Sequence, residues 1–577
     1  MGSRAAARAG LVLLCIVGVA ARWTGTGFLL PEWPCPDDDV VRQVVAFRDG
    51  VPESEAPLVY RRYPHLLART TVCLPDPRAG AAPGENDLGA HLARASATHL
   101  QARDLFALLS AAIVPATYAL ASAFVGPGAA LFAAALSATS LLHVWFSQQA
   151  RPHGPASALA LVAVVACMRL RRRPDPLAYL VAGAACGLAI GCFQSGVVTL
   201  VPLAAAHLLR DKKNAIREWA FLAAALAIVA ALLLWLWPFL VAPQAASAAL
   251  EGGGAMAGHN FSFRILDGRG LVRSLTSLWT FEPFALALAL AGAAIGASAF
   301  PRVRKRDVVV PASYAISYLG AIGAYAWSQD RFLLPLVPYV ACLAAYALAR
   351  TYARGGWAAR AAAVAGAIAL AVPAAATAKL VWLRSQPGAD TLSLAGKWIA
   401  EHVAPERERV LLVPSLDVPL FKSRAAIEAN RARGIGPRGP GDSPAWNSYL
   451  ESEPPPRWSG PVFDLRWIAF ATTTEARAFL LGDDADGWLR SLGGDFALIE
   501  VLQFGETGMQ HALRESMRRV GTRVARFGPT DQDPPVNLSY QDNGNAPEGG
   551  VGGVCWPLQV LRSERVGPVV EIYRLGP

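Results

Sequence analysis

Chemistry at a membrane surface needs ionisable groups placed where water is scarce, and the chain offers one concentrated set. Cys35-Pro36-Asp37-Asp38-Asp39 is followed at once by Val40-Val41-Arg42-Gln43-Val44-Val45-Ala46-Phe47. A carboxylate that faces a low-dielectric cavity gains proton affinity and can act as a general base or bind a metal. The apolar spacing after the acidic run predicts an amphipathic helix lying on the membrane surface. Pro followed by Asp is also ordinary helix-start chemistry, in which one carboxylate caps free backbone N–H groups and the helix dipole favours the others. Spacing alone leaves both readings open.

The elements that must position this run are membrane helices. Of 577 residues, 54% are hydrophobic and 17% charged, with a mean hydropathy of +0.33, too apolar for a soluble enzyme. Ala/Leu/Val-rich blocks predict spans near 8–24, 103–124, 127–146, 153–170, 176–192, 195–209, 218–241, 281–300, 308–327, 332–349 and 359–383, about eleven in all. The expected fold class is therefore mainly α, a polytopic helical membrane protein. Arg4 and Arg8 before the run from Ala9 to Ala21 also fit a signal peptide. A retained first span is the better reading because it puts the following loop in register with the later charge clusters.

Charge sets the expected sidedness. Connectors on the N-terminal side hold seventeen Lys/Arg residues, including Arg169, Arg171, Arg172 and Arg173, whereas the opposite connectors, the long first loop apart, hold five. That asymmetry places the N-terminus in the cytoplasm, and an odd number of spans places the C-terminus outside. A net charge of +10 spread over short connectors gives no contiguous basic face, so no nucleic-acid partner is expected. The eight cysteines include no metal-type CxxC pair.

Two outward loops, about 25–102 and 242–280, then share a compartment with the tail. Residues 1–384 form the expected membrane domain and 385–577 an extracytoplasmic α/β domain, with strands at 409–414, 467–471, 496–501 and 569–574 and helices at 392–402 and 509–520. The tail has no GxGxxG between a strand and a helix, so nucleotide binding lacks its required context.

The order of these features resembles the GT-C superfamily of lipid-linked-sugar glycosyltransferases, and in particular its bacterial protein-mannosyltransferase-like and aminoarabinose-transferase-like (family 39 type) members. The resemblance rests on a first span, then Pro-Asp-acidic with an amphipathic helix, Tyr63-Pro64, Ser147-Gln148-Gln149-Ala150-Arg151-Pro152, and Arg331-Phe332-Leu333-Leu334-Pro335-Leu336-Val337-Pro338. It covers the membrane region to about residue 350, and the opening of the tail, Lys397–His402 to Val410–Val413, is similar too.

The resemblance implies an acidic pair at Asp37 and Asp38, with Asp37 as catalytic base and Asp38 its neighbour. It implies an inverting transfer from a polyprenyl-phosphate-linked sugar to a lipid, glycan or protein acceptor, in the inner (cytoplasmic) membrane with the chemistry on the non-cytoplasmic face. Arg331 and Arg151 are the expected phosphate-binding residues; each also reads as a helix-end anchor. Tyr63, His65, His153 and His259 are the cavity candidates. The plain alternatives are a turn with an interfacial aromatic for Tyr63-Pro64-His65 and lone polar contacts for His153 and His259. The family often carries an acidic residue where this chain has His153, so a second acidic ligand is not carried over. No cofactor is expected, and a divalent metal is left open. Cys35 and Cys73 bracket the Tyr63 segment and are candidates for a loop-fixing disulfide. The rival readings are a transporter or flippase of a lipid-linked or polysaccharide intermediate and an inactive scaffold of the same fold. No internal repeat of the transporter kind is evident in the sequence.

Overall fold

The structure is a computed structural model that describes residues 2–31, 38–52, 59–60, 63–79, 87–210, 215–238, 255–256, 259–260, 268–299, 305–324, 329–405, 407–412, 416–432, 460–468, 485–501, 508–531 and 555–576. Helices coincide with the apolar blocks, from Gly2–Trp23 through His153–Arg172 and Pro176–Cys192 to Gly356–Arg384. Among the described residues six helices are long and apolar enough to cross a bilayer, or up to eight if each of two bent pairs is one span. The expected eleven is reached only by adding Pro176–Cys192, Gln194–Leu208 and Asp307–Gly323, which are apolar but shorter.

Two expected boundaries move. The helix that holds the second expected span starts well before 103, at Leu88, where the Asp87 carboxylate accepts from Ala90 N at 2.9 Å and caps the first turn. The polar stretch His91–Gln101 hides this start from a hydropathy reading. The second outer loop is not loop throughout, because Arg269–Phe281 is a helix that turns by 120° into Pro283–Ala297. Earlier in that loop, β1 (Ala255–Met256) and β2 (His259–Asn260) pair antiparallel.

The block expected at 127–146 is broken. Pro127–Ala138 and Leu141–Ser147 meet at 48°, which leaves carbonyls at the end of the first half and N–H groups at the start of the second without helical partners. Inside a membrane those groups must be satisfied by protein. Arg22, fully buried, donates to Ser137 O at 2.9 Å and Ala138 O at 3.2 Å. Ser140 Oγ accepts from His143 N at 3.1 Å, and the Glu282 carboxylate accepts from Ser140 Oγ at 2.6 Å and Leu142 N at 3.3 Å. Cation and anion thus sit at the dipole ends that favour them. Thr377 Oγ1 donates to Thr139 O at 2.9 Å, so the last membrane helix also closes the break.

Small residues set one close helix contact. A Cβ on Gly183 would lie 2.7 Å from Ala225 O, and Gly187 and Gly191, one turn apart on the same face, meet Leu232 and Leu236 just as closely. Without a hydrophobic drive between helices in lipid, such backbone approach supplies the packing. At one end of the bundle the connectors are clasped by ion pairs, Arg171 and Arg172 to Asp307 and Arg210 to Glu218. Part of the basic excess read as a topology signal therefore has carboxylate partners.

In the tail, β3 (Arg409–Leu412), β4 (Asp464–Trp467), β5 (Phe496–Glu500), β6 (Gly521–Phe527) and β7 (Val570–Leu575) form one sheet in the order β4-β3-β5-β7-β6. The first three are parallel, and β7 runs antiparallel to both neighbours. The helix Trp556–Arg562 carries the tail onto the bundle. Its Trp556 ring is buried, 4.8 Å from Trp145 and 4.5 Å from Phe281. Trp556→Ala should cost about 3–5 kcal/mol through the cavity it leaves. Limited proteolysis of the full chain checks this: the tail should be released at protease levels that leave the unaltered protein intact.

Candidate functional site

The amphipathic helix predicted after the acidic run is present as Asp38–Arg48. Its Val40, Val41 and Val44 are buried in one cluster with Tyr63, Leu67, Phe106, Ala150 and Ala156. The start of this helix therefore packs against the Tyr63 segment and against the residue just before Arg151. Gln43, buried on the same helix, donates to Val59 O at 2.9 Å and Tyr63 O at 3.0 Å, fixing the backbone that presents Tyr63. At the far end Arg48 donates to Gln101 Oε1 at 2.7 Å and Thr71 O at 3.2 Å. The helix is thus tied down at both ends, the rigidity a catalytic group needs from its support.

From Tyr63 a continuous wall of rings leads to a cation. Tyr63 lies 5.8 Å from Phe193, Phe193 4.6 Å from His153, and His153 5.5 Å from Phe332. The Arg331 guanidinium sits 5.4 Å from the Phe332 ring. His153, Phe193, Ser195, Tyr318 and Arg331 line one small cavity. The turn that carries Arg331, Asp330–Leu336, is held by two hydrogen bonds: Ser277 Oγ donates to Asp330 Oδ1 at 2.7 Å and Tyr318 O–H to Phe332 O at 2.8 Å. Flat aromatic faces suit the apolar faces of a sugar ring, and a guanidinium matches the oxygens of a phosphate.

A second polar layer joins the loop after the first helix to the end of the last. Arg103, fully buried, donates to Thr26 O and Phe28 O, each at 2.8 Å, and lies 4.2 Å over the Phe28 ring. Arg384 lies 4.6 Å from the same ring and 4.1 Å from Trp145, and it donates to the Gln148 amide oxygen and to Trp145 O. Gln148 Nε2 in turn donates to Ala21 O at 3.1 Å and Thr24 O at 2.7 Å. These contacts gather the first loop, the 148–151 segment, the end of the last membrane helix and, through Trp556, the tail at one end of the bundle.

Of the residues singled out in the sequence, the structure brings Tyr63, His153 and Arg331 together, with Ala150, the neighbour of Arg151, in the adjoining cluster. Asp37 and Cys35 lie outside the described residues, and Asp38 and His259 are described only as backbone, in the Asp38–Arg48 helix and in β2. Cys73 is exposed and has no sulfur partner among the described residues. His65 packs 5.2 Å from Phe47 with its Nε2 2.7 Å from Tyr60 O, and its N–H reaches Leu236 O at 2.7 Å. That is an anchoring position rather than a place on the ring wall. Among the described residues no group of three His, Cys, Asp or Glu could hold a metal. Phe193, Arg103 and Arg384 are not among the residues quoted from the sequence, and Phe332 and Gln148 stand there only as motif neighbours without a role. The signal available was Arg103 and Arg384 at the ends of apolar blocks, where anchoring is the default reading.

No family model matches the chain, and no curated protein matches it. Solved structures do. The archaeal oligosaccharyltransferase AglB from Archaeoglobus fulgidus, in complex with an inhibitory peptide and a dolichol-phosphate, aligns over 93% of this chain and 75% of its own, at 11% identity and a TM-score of 0.50. ArnT from Cupriavidus metallidurans in the apo state aligns over 90% of this chain and 97% of its own, at 15% identity and a TM-score of 0.45. ArnT bound to undecaprenyl phosphate aligns over 86% and 93%, at 14% identity and a TM-score of 0.42. The likeness to AglB is one of overall fold.

Proposed function

On the fold that the chain shares with AglB, we propose that it is a membrane glycosyltransferase of the GT-C superfamily. It moves a sugar from a polyprenyl-phosphate donor to an acceptor on the non-cytoplasmic face of the inner (cytoplasmic) membrane. The observation that carries this reading is the wall Tyr63–Phe193–His153–Phe332 ending at Arg331, one packing layer from the helix that follows the acidic run. In this reading the donor's sugar lies against these rings and its phosphate against Arg331.

In the proposed reaction Asp37 takes the proton of an acceptor hydroxyl as that oxygen attacks the anomeric carbon. The bond from the anomeric carbon to the phosphate oxygen breaks, and its electron pair leaves with the polyprenyl phosphate. Arg331 offsets the charge that develops there, with Arg151 as a second cation, and fixed donors in a partly dry site are worth more than in water. Asp38 holds the neighbouring position at the helix start. Attack from the face opposite the leaving group inverts the anomeric configuration. No step requires a nucleotide sugar, which agrees with a site outside the cytoplasm, where the same parity puts the tail.

The anomeric outcome tests the mechanism. With a polyprenyl-phosphate sugar of defined configuration, proton NMR of the product should show the opposite configuration at the anomeric carbon. A product with retained configuration would overturn the single-displacement mechanism.

A further inference from the structure

The outward side of the helix Arg269–Phe281 carries an apolar stripe that takes no part in the reaction just described. Leu271, Val272, Leu275 and Trp279 recur at three- and four-residue steps and so share one face; each is 38–45% exposed. Gly270, Ser274, Ser277 and Phe281 make the opposite face and are buried. The order expected of a helix in water is reversed, with hydroxyls on the protein side and hydrocarbon outside. Ser274 Oγ donates to Gly270 O at 2.8 Å and Ser277 Oγ to Asp330 Oδ1 at 2.7 Å, so these inner hydroxyls are satisfied by the chain itself. Four neighbouring apolar side chains left bare mark a surface built for an apolar neighbour.

We propose that this helix lies in the leaflet on the site's side of the membrane, its stripe against lipid acyl chains, and that this contact sets the level of the turn that carries Arg331. The coupling to Arg331 rests on the glycosyltransferase reading. The lipid contact does not.

Three contacts fix the depth of the helix. Near its start, Leu271 meets the end of the helix Lys305–Gly323: a Cβ on Gly323 would lie 3.5 Å from Leu271 Cβ. That end stands beside the Arg331 turn, because Tyr318 on the same helix donates to Phe332 O. In the middle, Ser277 reaches Asp330, where the turn begins. Phe281, the last residue, packs 4.5 Å from Trp556 of the tail. All three neighbours belong to the end of the bundle where the tail docks, so the helix runs along that end.

Length and direction agree. Thirteen residues make a helix about 20 Å long, short of the ~30 Å hydrocarbon core, and the chain then turns by 120° into Pro283–Ala297. Lipid is the occupant because the stripe continues to the outside of the bundle, where the next helix, Pro283–Ala299, exposes Leu290. Trp279, just before the bend, has the apolar body and polar edge that suit the border between hydrocarbon and head groups.

Photolabelling of the full chain in lipid nanodiscs tests the contact. One set of discs contains phosphatidylglycerol with a diazirine on an acyl chain; the other contains plain lipid, with a water-soluble diazirine in the buffer. Mass spectrometry should find acyl-chain adducts on Leu271, Leu275 or Trp279, as on Leu290, and few from the aqueous reagent. Predominantly aqueous adducts on the stripe, or none from either reagent while Leu290 is labelled, would overturn the lipid contact and show a face in water or under protein. The coupling is read with undecaprenyl phosphate, which has no sugar to transfer. Leu275→Gln combined with Trp279→Gln, both on the exposed face, should weaken its affinity by about threefold to tenfold. Ile316→Gln, an exposed change on the neighbouring helix Lys305–Gly323, should leave it unchanged. No binding, an affinity unmoved by the double substitution, or an equal loss from Ile316→Gln would overturn the coupling. Absence of transfer by the unaltered protein, with acyl-chain adducts on the stripe, would remove the transferase reading and keep the lipid contact.

Discussion

Replacing Asp37 by Asn should lower sugar transfer by about 10²–10⁴-fold while the protein still inserts, folds and binds donor. The exchange keeps the size and hydrogen-bonding shape of the side chain and removes only its capacity to take a proton. The proposed reaction assigns donor affinity to the ring wall and to Arg331, which the substitution leaves unchanged, so KM for the donor should stay near its original value while kcat falls. The pH profile adds a second readout: the limb on which activity rises as the carboxyl loses its proton should disappear from the residual rate. Asp38→Asn should be milder, because the proposed reaction gives Asp38 no proton to take. The reverse ranking, a large loss at Asp38 with little at Asp37, would transfer the base assignment by one residue.

Arg331→Ala should cost about 10²–10³-fold in transfer, the scale of losing one preorganised partner for a developing anion. Arg331 is buried on a turn fixed by Ser277 and Tyr318, so its guanidinium is held in place before the charge develops. Arg331→Lys should recover part of the loss, since it restores charge but not the two-pronged guanidinium. A purely anchoring role makes a different forecast: Ala and Lys would alter the yield of folded protein, and turnover per folded molecule would remain constant. Activity normalised to the monodisperse fraction separates the two.

The membrane helices were legible because apolar length is a strong signal, and His153–Arg172 and Pro176–Cys192 fall within two residues of their expected ends. The break at Thr139 was not legible. Hydropathy records composition, and the groups that make the break tolerable, Arg22 and Glu282, come from positions 117 and 143 residues away from Thr139 in sequence. For the same reason the helix Arg269–Phe281 read as loop: its polar residues lower its hydropathy, and its 120° turn at Glu282-Pro283 is a property of packing.

In the tail, buried β3, β5 and β7 were visible as apolar runs, whereas β6 was missed. It is the edge strand, largely exposed, with Arg523 and Arg526 reaching the Glu571 carboxylate on β7. Asp464-Leu465-Arg466-Trp467 alternates polar with apolar, and the strand expected at 467–471 meets it at Trp467, with 469–471 outside the described residues. In the site, order along the chain suggested Tyr63, His153 and Arg331, and the structure supplied what order cannot: Phe193 and Phe332 as the links between them. The buried arginines carry no motif. Most of the partners shown, such as Ser137 O, Thr26 O and the Gln148 amide oxygen, come from distant segments and leave no pattern in the sequence around Arg22, Arg103 or Arg384.

The central claim is that this chain breaks the bond between a sugar and a polyprenyl phosphate. The most direct measurement follows a doubly labelled polyprenyl-phosphate sugar in proteoliposomes containing the purified protein. Sugar label is scored on an acceptor or in water, and lipid label as free polyprenyl phosphate. The account predicts that unaltered protein separates the two labels and that Asp37→Asn keeps them joined. Intact donor crossing the bilayer with both labels together, at equal rates in the two proteins, would contradict it and identify a transporter instead.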